Sequence, residues 1–249
     1  MILKDYHVHT TFSDGKNTME EVVVKAIEKG LTEIGFSDHS YTFFDTSYCV
    51  KRSDIPTYLK EAERLRAKFG DKIKIKIGVE QDVYSRTSVK NYEYAIGSVH
   101  YFKIGKNYYP LDETKEQFVK IVEEFFGGDY YLACENYFAA VEKFSGRSGV
   151  NIIGHFDLVS KYNGDGSLFD EDSERYVAAY KRAAKKLVEA GKVFEINTGA
   201  LRKGLRPDAY PKKPIRDYIK SLGGKFILSS DSHKKEDLLF GFDLFEKEL

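Results

Sequence analysis

Short apolar runs alternate with amphipathic stretches along the chain, and this alternation sets the expected fold. Seven apolar runs predict β-strands, over residues 2–8, 32–37, 72–79, 94–99, 150–154, 193–196 and 225–229. Stretches with helical periodicity predict α-helices between them, over residues 19–29, 54–69, 114–126, 130–144, 172–190, 214–222 and 236–247. Strands that alternate regularly with helices predict an α/β fold built on a parallel sheet, either open or closed.

Two segments depart from this regular pattern. Residues 72–77 alternate strictly between Lys and Ile, whereas a strand that is buried on both faces is a continuous apolar run. We therefore expect one face of that strand to be only partly covered. Residues 40–53 are rich in aromatic and hydroxyl side chains and have no clean period, which predicts a long loop over the mouth of the sheet.

Composition and charge exclude several classes of function. The 39 basic and 39 acidic side chains give a net charge of zero, so the chain lacks the basic excess of proteins that bind nucleic acid mainly through its phosphates. No apolar run is long enough to predict a membrane span, and the first residues do not resemble a cleaved signal. Cys49 and Cys134 predict free thiols in a reducing cytoplasm. The length and the absence of a linker predict one domain over residues 1–249.

All six histidines follow the ends of apolar runs, and three carboxylates stand in the same kind of position. These nine residues are His7, His9, Asp14, His39, Glu80, His100, His155, Asp231 and His233. A single histidine in such a place is usually a hydrogen-bonded core residue, but six in matched positions favour a shared role. Because the carboxyl ends of parallel strands meet at one face, and because imidazole and carboxylate bind zinc, manganese and iron, the sequence predicts one polynuclear metal site.

The motifs around these residues resemble those of the PHP (polymerase and histidinol phosphatase) superfamily of metal-dependent phosphoesterases. They are His7-Val8-His9-Thr10, Ser13-Asp14-Gly15, Ser37-Asp38-His39-Ser40, Gly78-Val79-Glu80, Ser98-Val99-His100, Gly154-His155 and Ser230-Asp231-Ser232-His233. The resemblance spans the chain and implies a distorted seven-stranded (β/α)7 barrel, similar to a TIM barrel, with the metal site at the carboxyl ends of its strands. The single-domain size and the segment 195–202 resemble the histidinol-phosphate phosphatases within that superfamily.

The resemblance also implies two to three divalent ions, of zinc, manganese or iron, and it divides the nine ligands among them. The implied groups are His7, His9, Glu80 and Asp231 for one ion, Glu80, His100 and His155 for a second, and Asp14, His39 and His233 for a third. Some members of the superfamily have histidine where Asp14 stands, so the identity of the metal stays open. Glu80 is suited to bridging two ions because a carboxylate offers two oxygens.

The expected chemistry is hydrolysis of a small phosphomonoester. A water that bridges two ions can become hydroxide near neutral pH, and we assign the catalytic roles to Glu80, Asp231 and His233. The favoured reaction converts L-histidinol phosphate to L-histidinol and inorganic phosphate, a step of histidine biosynthesis. One alternative is a phosphoesterase that acts on a small nucleotide at the same site. Another is a metal-storing or regulatory protein whose active site has lapsed, which a complete ligand set disfavours.

Cationic side chains are expected to complete a phosphate pocket. Arg202 follows the sixth strand, and its planar guanidinium can bind two phosphate oxygens at once. Lys161 follows His155 by six residues and is a second candidate, with Arg206 a third; each could equally be an ordinary solvated charge. Asp38 and Asp157 could orient ligand histidines or serve the loops. Aromatic side chains are candidates for the wall of the leaving-group pocket: Tyr41, Phe43, Phe44, Tyr48 and Tyr162.

Overall fold

The computed structural model describes residues 3–249, so Ile2, at the start of the expected strand over 2–8, lies outside the described residues. The strands are β1 (Lys4–Asp5), β2 (Glu33–Phe36), β3 (Lys74–Asp82), β4 (Tyr94–Ser98), β5 (Tyr101–Ile104), β6 (Asn107–Pro110), β7 (Ile152–Ile153), β8 (Val193–Asn197) and β9 (Lys225–Ser229). The α-helices are α1 (Met19–Glu28), α2 (Ile55–Phe69), α3 (Lys115–Phe126), α4 (Tyr130–Glu142), α5 (Glu174–Glu189), α6 (Gly199–Arg202), α7 (Lys213–Ser221) and α8 (Phe242–Phe245).

Seven parallel strands form a nearly closed barrel, in the order β1-β2-β3-β4-β7-β8-β9. The segments that follow the first and last strands meet at a parallel bridge between Val8 and Ser232. There the Ser232 amide donates to the His7 carbonyl at 3.1 Å, and the His9 amide donates to the Ser232 carbonyl at 2.8 Å. The α/β barrel is confirmed, and each of the seven predicted strands is present, although β1 and β7 are only two residues long.

The strand β3 is partly uncovered at its beginning, as its alternating sequence predicts. Lys74 is exposed and Lys76 is half-buried, while Ile75 and Ile77 are buried in an apolar cluster with residues of α1 and α2. From Gly78 onwards every residue of the strand is buried. The uncovered face is therefore confined to the end of the strand that lies away from the predicted metal site.

Side-chain caps explain where several helices begin. Thr18 and Glu21 form a reciprocal capping box at the start of α1, which satisfies backbone amides that have no partner within the helix. Thr114 accepts from the Gln117 amide at the start of α3, and Asp129 does the same for α4. Helices α3, α4 and α5 contribute to the larger apolar cluster around β4 and β7. Both cysteines are buried free thiols, as expected.

Three elements differ from the sequence prediction. The strands β5 and β6 form an antiparallel hairpin, and α6 follows β8; neither was predicted. The expected C-terminal helix over 236–247 is wrong. Leu239 and Gly241 have φ angles of 60° and 67°, and a right-handed helix cannot pass through that left-handed region. Only the short α8 and two single 3₁₀ turns form there.

The segment 40–53 is a loop without helix or strand, as predicted. None of the helices between residues 3 and 249 combines the length and the apolar character that crossing a membrane requires.

Candidate metal centre

The structure brings all nine predicted ligand residues together at the carboxyl ends of the barrel strands. Glu80, inside β3, lies at the centre of the group. Its Oε1 lies 3.3 Å from His100 Nε2 and 2.9 Å from His155 Nε2. Its Oε2 lies 3.3 Å from His7 Nε2 and 2.8 Å from His39 Nδ1. The two carboxylate oxygens therefore face two different sets of histidines, which is the arrangement that a bridging ligand needs.

Four donor atoms form a cage next to Glu80. His7 Nε2 and His9 Nε2 lie 3.3 and 3.5 Å from Glu80 Oε2, and 3.6 and 3.3 Å from Asp231 Oδ1. A tetrahedron around an ion with bonds of about 2.1 Å has edges of ~3.4 Å. The observed separations therefore fit a single ion of that size. Both Nε2 atoms and the Glu80 Oε2 atom are buried and have no hydrogen-bond partner within residues 3–249.

A second group of donors lies on the outer side of His9. The ligand atoms of His9, Asp14, His39 and His233 all lie within 4.8 Å of one another. Asp14 Oδ2 is 3.2 Å from His233 Nε2, and Asp14 Oδ1 is 3.7 Å from His39 Nε2. The group expected for the third ion is thus assembled, with His9 as an additional neighbour. A further set of donors is formed by His39, Glu80 and His100.

A glycine allows Asp14 to reach this group. The Gly15 amide donates to the Thr10 carbonyl at 3.0 Å, which folds the loop after β1 back onto itself. A Cβ atom at position 15 would lie 2.5 Å from the His9 carbonyl carbon. Only a residue without a side chain permits this close approach, so Gly15 sets the distance between Asp14 and His9.

Hydrogen bonds fix the protons of two histidines on the nitrogens that face away from the donor groups. His7 Nδ1 donates to Glu195 Oε2 at 2.8 Å, and His233 Nδ1 donates to the Asp231 carbonyl at 3.0 Å. In a neutral imidazole the other nitrogen then keeps its lone pair. The Nε2 atoms of His7 and His233 therefore face the donor groups. Burial lowers the pKa of His7, but Glu195, Asp231 and Glu80 together hold it well above its usual range, so a cation that binds His7 Nε2 would displace a proton.

Electrostatics keep the carboxylates of the group ionised. Burial alone would raise the pKa of the Glu80 carboxyl, but the surrounding histidines, His39 first, hold that pKa well below its usual range. Burial alone would raise the pKa of Asp231 too, but His7, His9 and His233 together hold it well below its usual range. Burial, with the nearby His233 and His39, lowers the pKa of His9 to about 3. A neutral His9 between ionised carboxylates is the protonation state that a metal ligand needs.

A family model of the PHP domain matches residues 5–199. The chain belongs to the PHP domain family. The histidinol-phosphatase of Lactococcus lactis is 34% identical to it, over 92% of this chain and 83% of the relative. A solved structure of histidinol phosphate phosphatase from the same organism, complexed with zinc, L-histidinol and phosphate, has a TM-score of 0.68 at 27% identity and covers 98% of this chain and 93% of that one.

A solved candidate histidinol phosphatase from Listeria monocytogenes has a TM-score of 0.83, covering 97% of this chain and 99% of that one. Its 22% identity supports the fold alone. These comparisons confirm the resemblance that the motifs predicted, both to the family and to its histidinol phosphatases, which are phosphoric monoester hydrolases.

Sequence reasoning missed Glu195, a buried carboxylate that contacts the candidate metal centre of nine residues described above (called the PHP centre below). Besides its bond from His7, Glu195 accepts from the His155 amide at 2.6 Å and from Asn197 Nδ2 at 2.8 Å, both through Oε1. Asn197 Nδ2 also lies 3.2 Å from Asp231 Oδ2. Glu195 and Asn197 stand at alternate positions inside β8, so they share one face of the strand. Two polar residues at alternate positions in a buried strand were the signal that could have revealed them.

Asp38 and Asp157 support loops of the PHP domain rather than histidine rings. Asp38 accepts from the Thr10 amide at 2.7 Å and from the Ser13 hydroxyl at 2.6 Å, and so braces the loop that carries Asp14. Asp157 accepts from Arg206 Nη1 and from the Lys212 amide, both at 3.1 Å. The sequence left two roles open for Asp38 and Asp157, which were to orient ligand histidines or to support loops. Their observed contacts are those of residues that support loops.

A cavity of about 310 Å³ opens above the PHP centre. Lys161 and Lys203 line it. Arg202 is not among the described residues that line the cavity; its Nη1 lies 2.7 Å from Asp237 Oδ2. Arg206 is buried and pairs with Asp157, so neither arginine faces the mouth as the sequence suggested. Of the candidate aromatic residues, Tyr48 lines this cavity.

Proposed function

We propose that this chain is a cytoplasmic histidinol-phosphatase, which hydrolyses L-histidinol phosphate to L-histidinol and inorganic phosphate. The observation that carries the proposal is the assembly of nine imidazole and carboxylate side chains, with Glu80 at their centre, at the floor of an open cavity. The Lactococcus lactis relative was solved with zinc, L-histidinol and phosphate. In the proposed enzyme, zinc would occupy the candidate metal centre, and L-histidinol and phosphate, the two products, would occupy the cavity next to it.

The PHP centre is proposed to hold two to three divalent ions, zinc, manganese or iron. Such ions would supply positive charge to the phosphate oxygens and lower the pKa of an attacking water. Glu80 would hold two ions in a fixed relation, through its two oxygens. Asp231 would complete the cage with His7 and His9. His233, 22% exposed at its side chain, would present Nε2 at the cavity face of the group.

The phosphate group needs cationic partners besides the metal ions. Lys161 Nζ lies at the cavity wall, where it contacts Asp112 Oδ2 at 3.2 Å, and Lys203 lines the same wall. We include Arg202 as a third partner, which would exchange Asp237 for phosphate. Arg202 lies outside the cavity lining, so this role requires its side chain to leave Asp237 and turn towards the cavity.

A substrate panel tests the proposal. Purified protein is loaded with zinc or manganese, and phosphate release is measured from L-histidinol phosphate and from nucleoside monophosphates, with and without a strong chelator. We expect histidinol phosphate to have the highest kcat/KM and the chelator to abolish turnover reversibly. Preference for a nucleoside monophosphate would establish the alternative substrate class. Metal binding without turnover of any phosphomonoester would point to a lapsed active site.

A further inference from the structure

The outer part of the cavity carries three carboxylates that belong neither to the metal centre nor to its support. Asp45 comes from the loop over residues 40–53, and Asp112 and Glu113 follow the hairpin of β5 and β6. The hairpin begins directly after His100, and the Leu111 amide donates back to the His100 carbonyl at 3.0 Å. This bond closes the hairpin onto a metal-ligand residue. Asp112 and Glu113 are thereby held at the rim of the cavity.

Two of these three carboxylates already have partners. Asp45 Oδ1 accepts from the Ser47 amide and hydroxyl at 3.0 and 2.7 Å, and Asp45 Oδ2 accepts from the Tyr101 hydroxyl at 2.8 Å. Asp112 Oδ2 accepts from Lys161 Nζ at 3.2 Å. Both side chains are therefore committed to shaping the wall of the cavity.

Glu113 is the exception. It lines the cavity and is exposed, and across residues 3–249 its side chain makes no hydrogen bond or ion pair. As an exposed group, the Glu113 carboxylate is hydrated in the free enzyme. Its negative charge lies on the wall of the cavity and is not neutralised by a described side chain, so it is available to a cationic group of a bound substrate.

We propose that Glu113 binds the ammonium group of the leaving alcohol, and so makes the enzyme selective for phosphomonoesters of amino alcohols. This inference rests on the proposed function. In such a substrate only two carbon atoms separate the nitrogen from the ester oxygen, so the group that binds the nitrogen must line the same cavity as the phosphate cations. Glu113 and the cations Lys161 and Lys203 meet that condition.

The neighbouring aromatic rings suit the rest of such a leaving group. Tyr48 and Tyr101 line the cavity, with ring centroids 6.1 Å apart and planes tilted by 35°. Tyr48 also packs edge-on against His39, at 4.8 Å between centroids. Flat apolar walls of this kind accept a planar ring. The outer cavity thus offers an anion for an amine and aromatic faces for an imidazole.

Selectivity between two substrates tests the role of Glu113. One substrate is L-histidinol phosphate and the other is its analogue with hydrogen in place of the amine. The variant Glu113→Gln keeps the size of the side chain and removes its charge. We expect the ratio of kcat/KM values, amine over analogue, to fall about tenfold or more, the scale of one hydrogen bond to a charged group. An unchanged ratio would overturn the inference.

A matched control distinguishes a direct contact of Glu113 with the substrate from a general effect of negative charge near the cavity. Glu116→Gln removes the same charge three residues away, at an exposed position outside the lining of the cavity, and is expected to leave the ratio as it is in the wild type. An equal fall of the ratio in both variants would refute a direct contact. Failure of the wild-type enzyme to hydrolyse histidinol phosphate would refute the proposed function instead, and is distinguishable because it appears before any substitution.

A second variant tests whether Glu113, rather than Asp112, binds the ammonium group. Asp112→Asn removes the partner of Lys161 but leaves Glu113 in place. We expect it to change kcat/KM for both substrates by the same factor, because Lys161 is assigned to the phosphate that they share. A selective loss for the amine substrate would move the ammonium site from Glu113 to Asp112.

Discussion

Replacing Glu195 with glutamine tests how the barrel prepares its metal ligands. The carboxylate of Glu195 is fully buried and accepts a hydrogen bond from His7 Nδ1 at 2.8 Å. Because an ionised carboxylate can only accept, it holds the His7 proton on Nδ1 and leaves Nε2 for the metal. In Glu195→Gln the oxygen can still accept from the His155 amide. The new NH2 group then faces His7 Nδ1 and favours the tautomer in which Nε2 carries the proton.

The expected loss follows from this change of tautomer. Removing such an outer partner of a ligand histidine typically costs 10- to 100-fold in metal affinity, which is about 1.4 to 2.8 kcal/mol. We expect the upper part of that range, because Glu195 also accepts from the backbone of His155 at 2.6 Å. One substitution therefore disturbs two ligand histidines.

Equilibrium competition with a chromogenic zinc chelator measures the effect. The metal-free variant is compared with the wild type and with Glu189→Gln, which removes an exposed carboxylate of α5, and circular dichroism verifies that all three are folded. A zinc affinity of Glu195→Gln within twofold of the wild type would refute the tautomer argument. A similar loss in Glu189→Gln would show that net charge, not the contact with His7, governs affinity.

Three further predictions concern the bridge, the phosphate and the packing of the barrel. Glu80→Gln removes the charge that five histidines surround, so we expect elemental analysis to find less metal and kcat to fall by roughly 1,000-fold or more; a variant with normal metal content and turnover would show that Glu80 is not a bridge. Arg202→Ala should lower kcat/KM for histidinol phosphate by about 100-fold at unchanged metal content. Near-normal kinetics, together with a loss in Lys203→Ala, would assign the phosphate to the lysines. Gly78→Ala places a Cβ 2.4 Å from the half-buried ring of Tyr94. Chemical denaturation should show a loss of about 1–3 kcal/mol in unfolding free energy; unchanged stability would mean that the ring can move aside.

The candidate metal centre was predictable from the sequence because its residues interrupt a simple pattern. His7, His39 and His100 each follow an apolar run, and in a parallel α/β fold the carboxyl ends of all strands lie at one face. Glu195 escaped the same reasoning because it lies within its strand, where only the inward direction of alternate residues distinguishes it. Sequence periodicity places a residue on an element, but its partners depend on which strands become neighbours.

The position of Arg202 and the structure of the C-terminal segment were harder to predict, for a related reason. Arg202 was expected at the mouth because it follows the sixth strand, but the short helix α6 intervenes and its side chain meets Asp237 instead. The helical period over 236–247 is real, yet Leu239 and Gly241 adopt left-handed backbone angles. In both places local contacts in the folded chain outweigh the propensity that the sequence shows.

The bridge between Val8 and Ser232 is where the barrel closes, and the proposed metal ligands lie on both sides of it. Strands β8 and β9 share five paired positions, whereas among residues 3–249 the backbone of the chain start pairs with the segment after β9 only through this bridge, beside a side-chain contact in which the Ser230 amide donates to Asp5 Oδ1 at 3.2 Å. His7 and His9 stand on one side and Asp231 on the other, 3.3 to 3.6 Å apart. An ion held by all three would staple the two ends of the chain together. By linkage, an ion present at 100 times its dissociation constant raises the free energy of unfolding by about 2.7 kcal/mol. The cation that serves catalysis would therefore also stabilise the closed barrel.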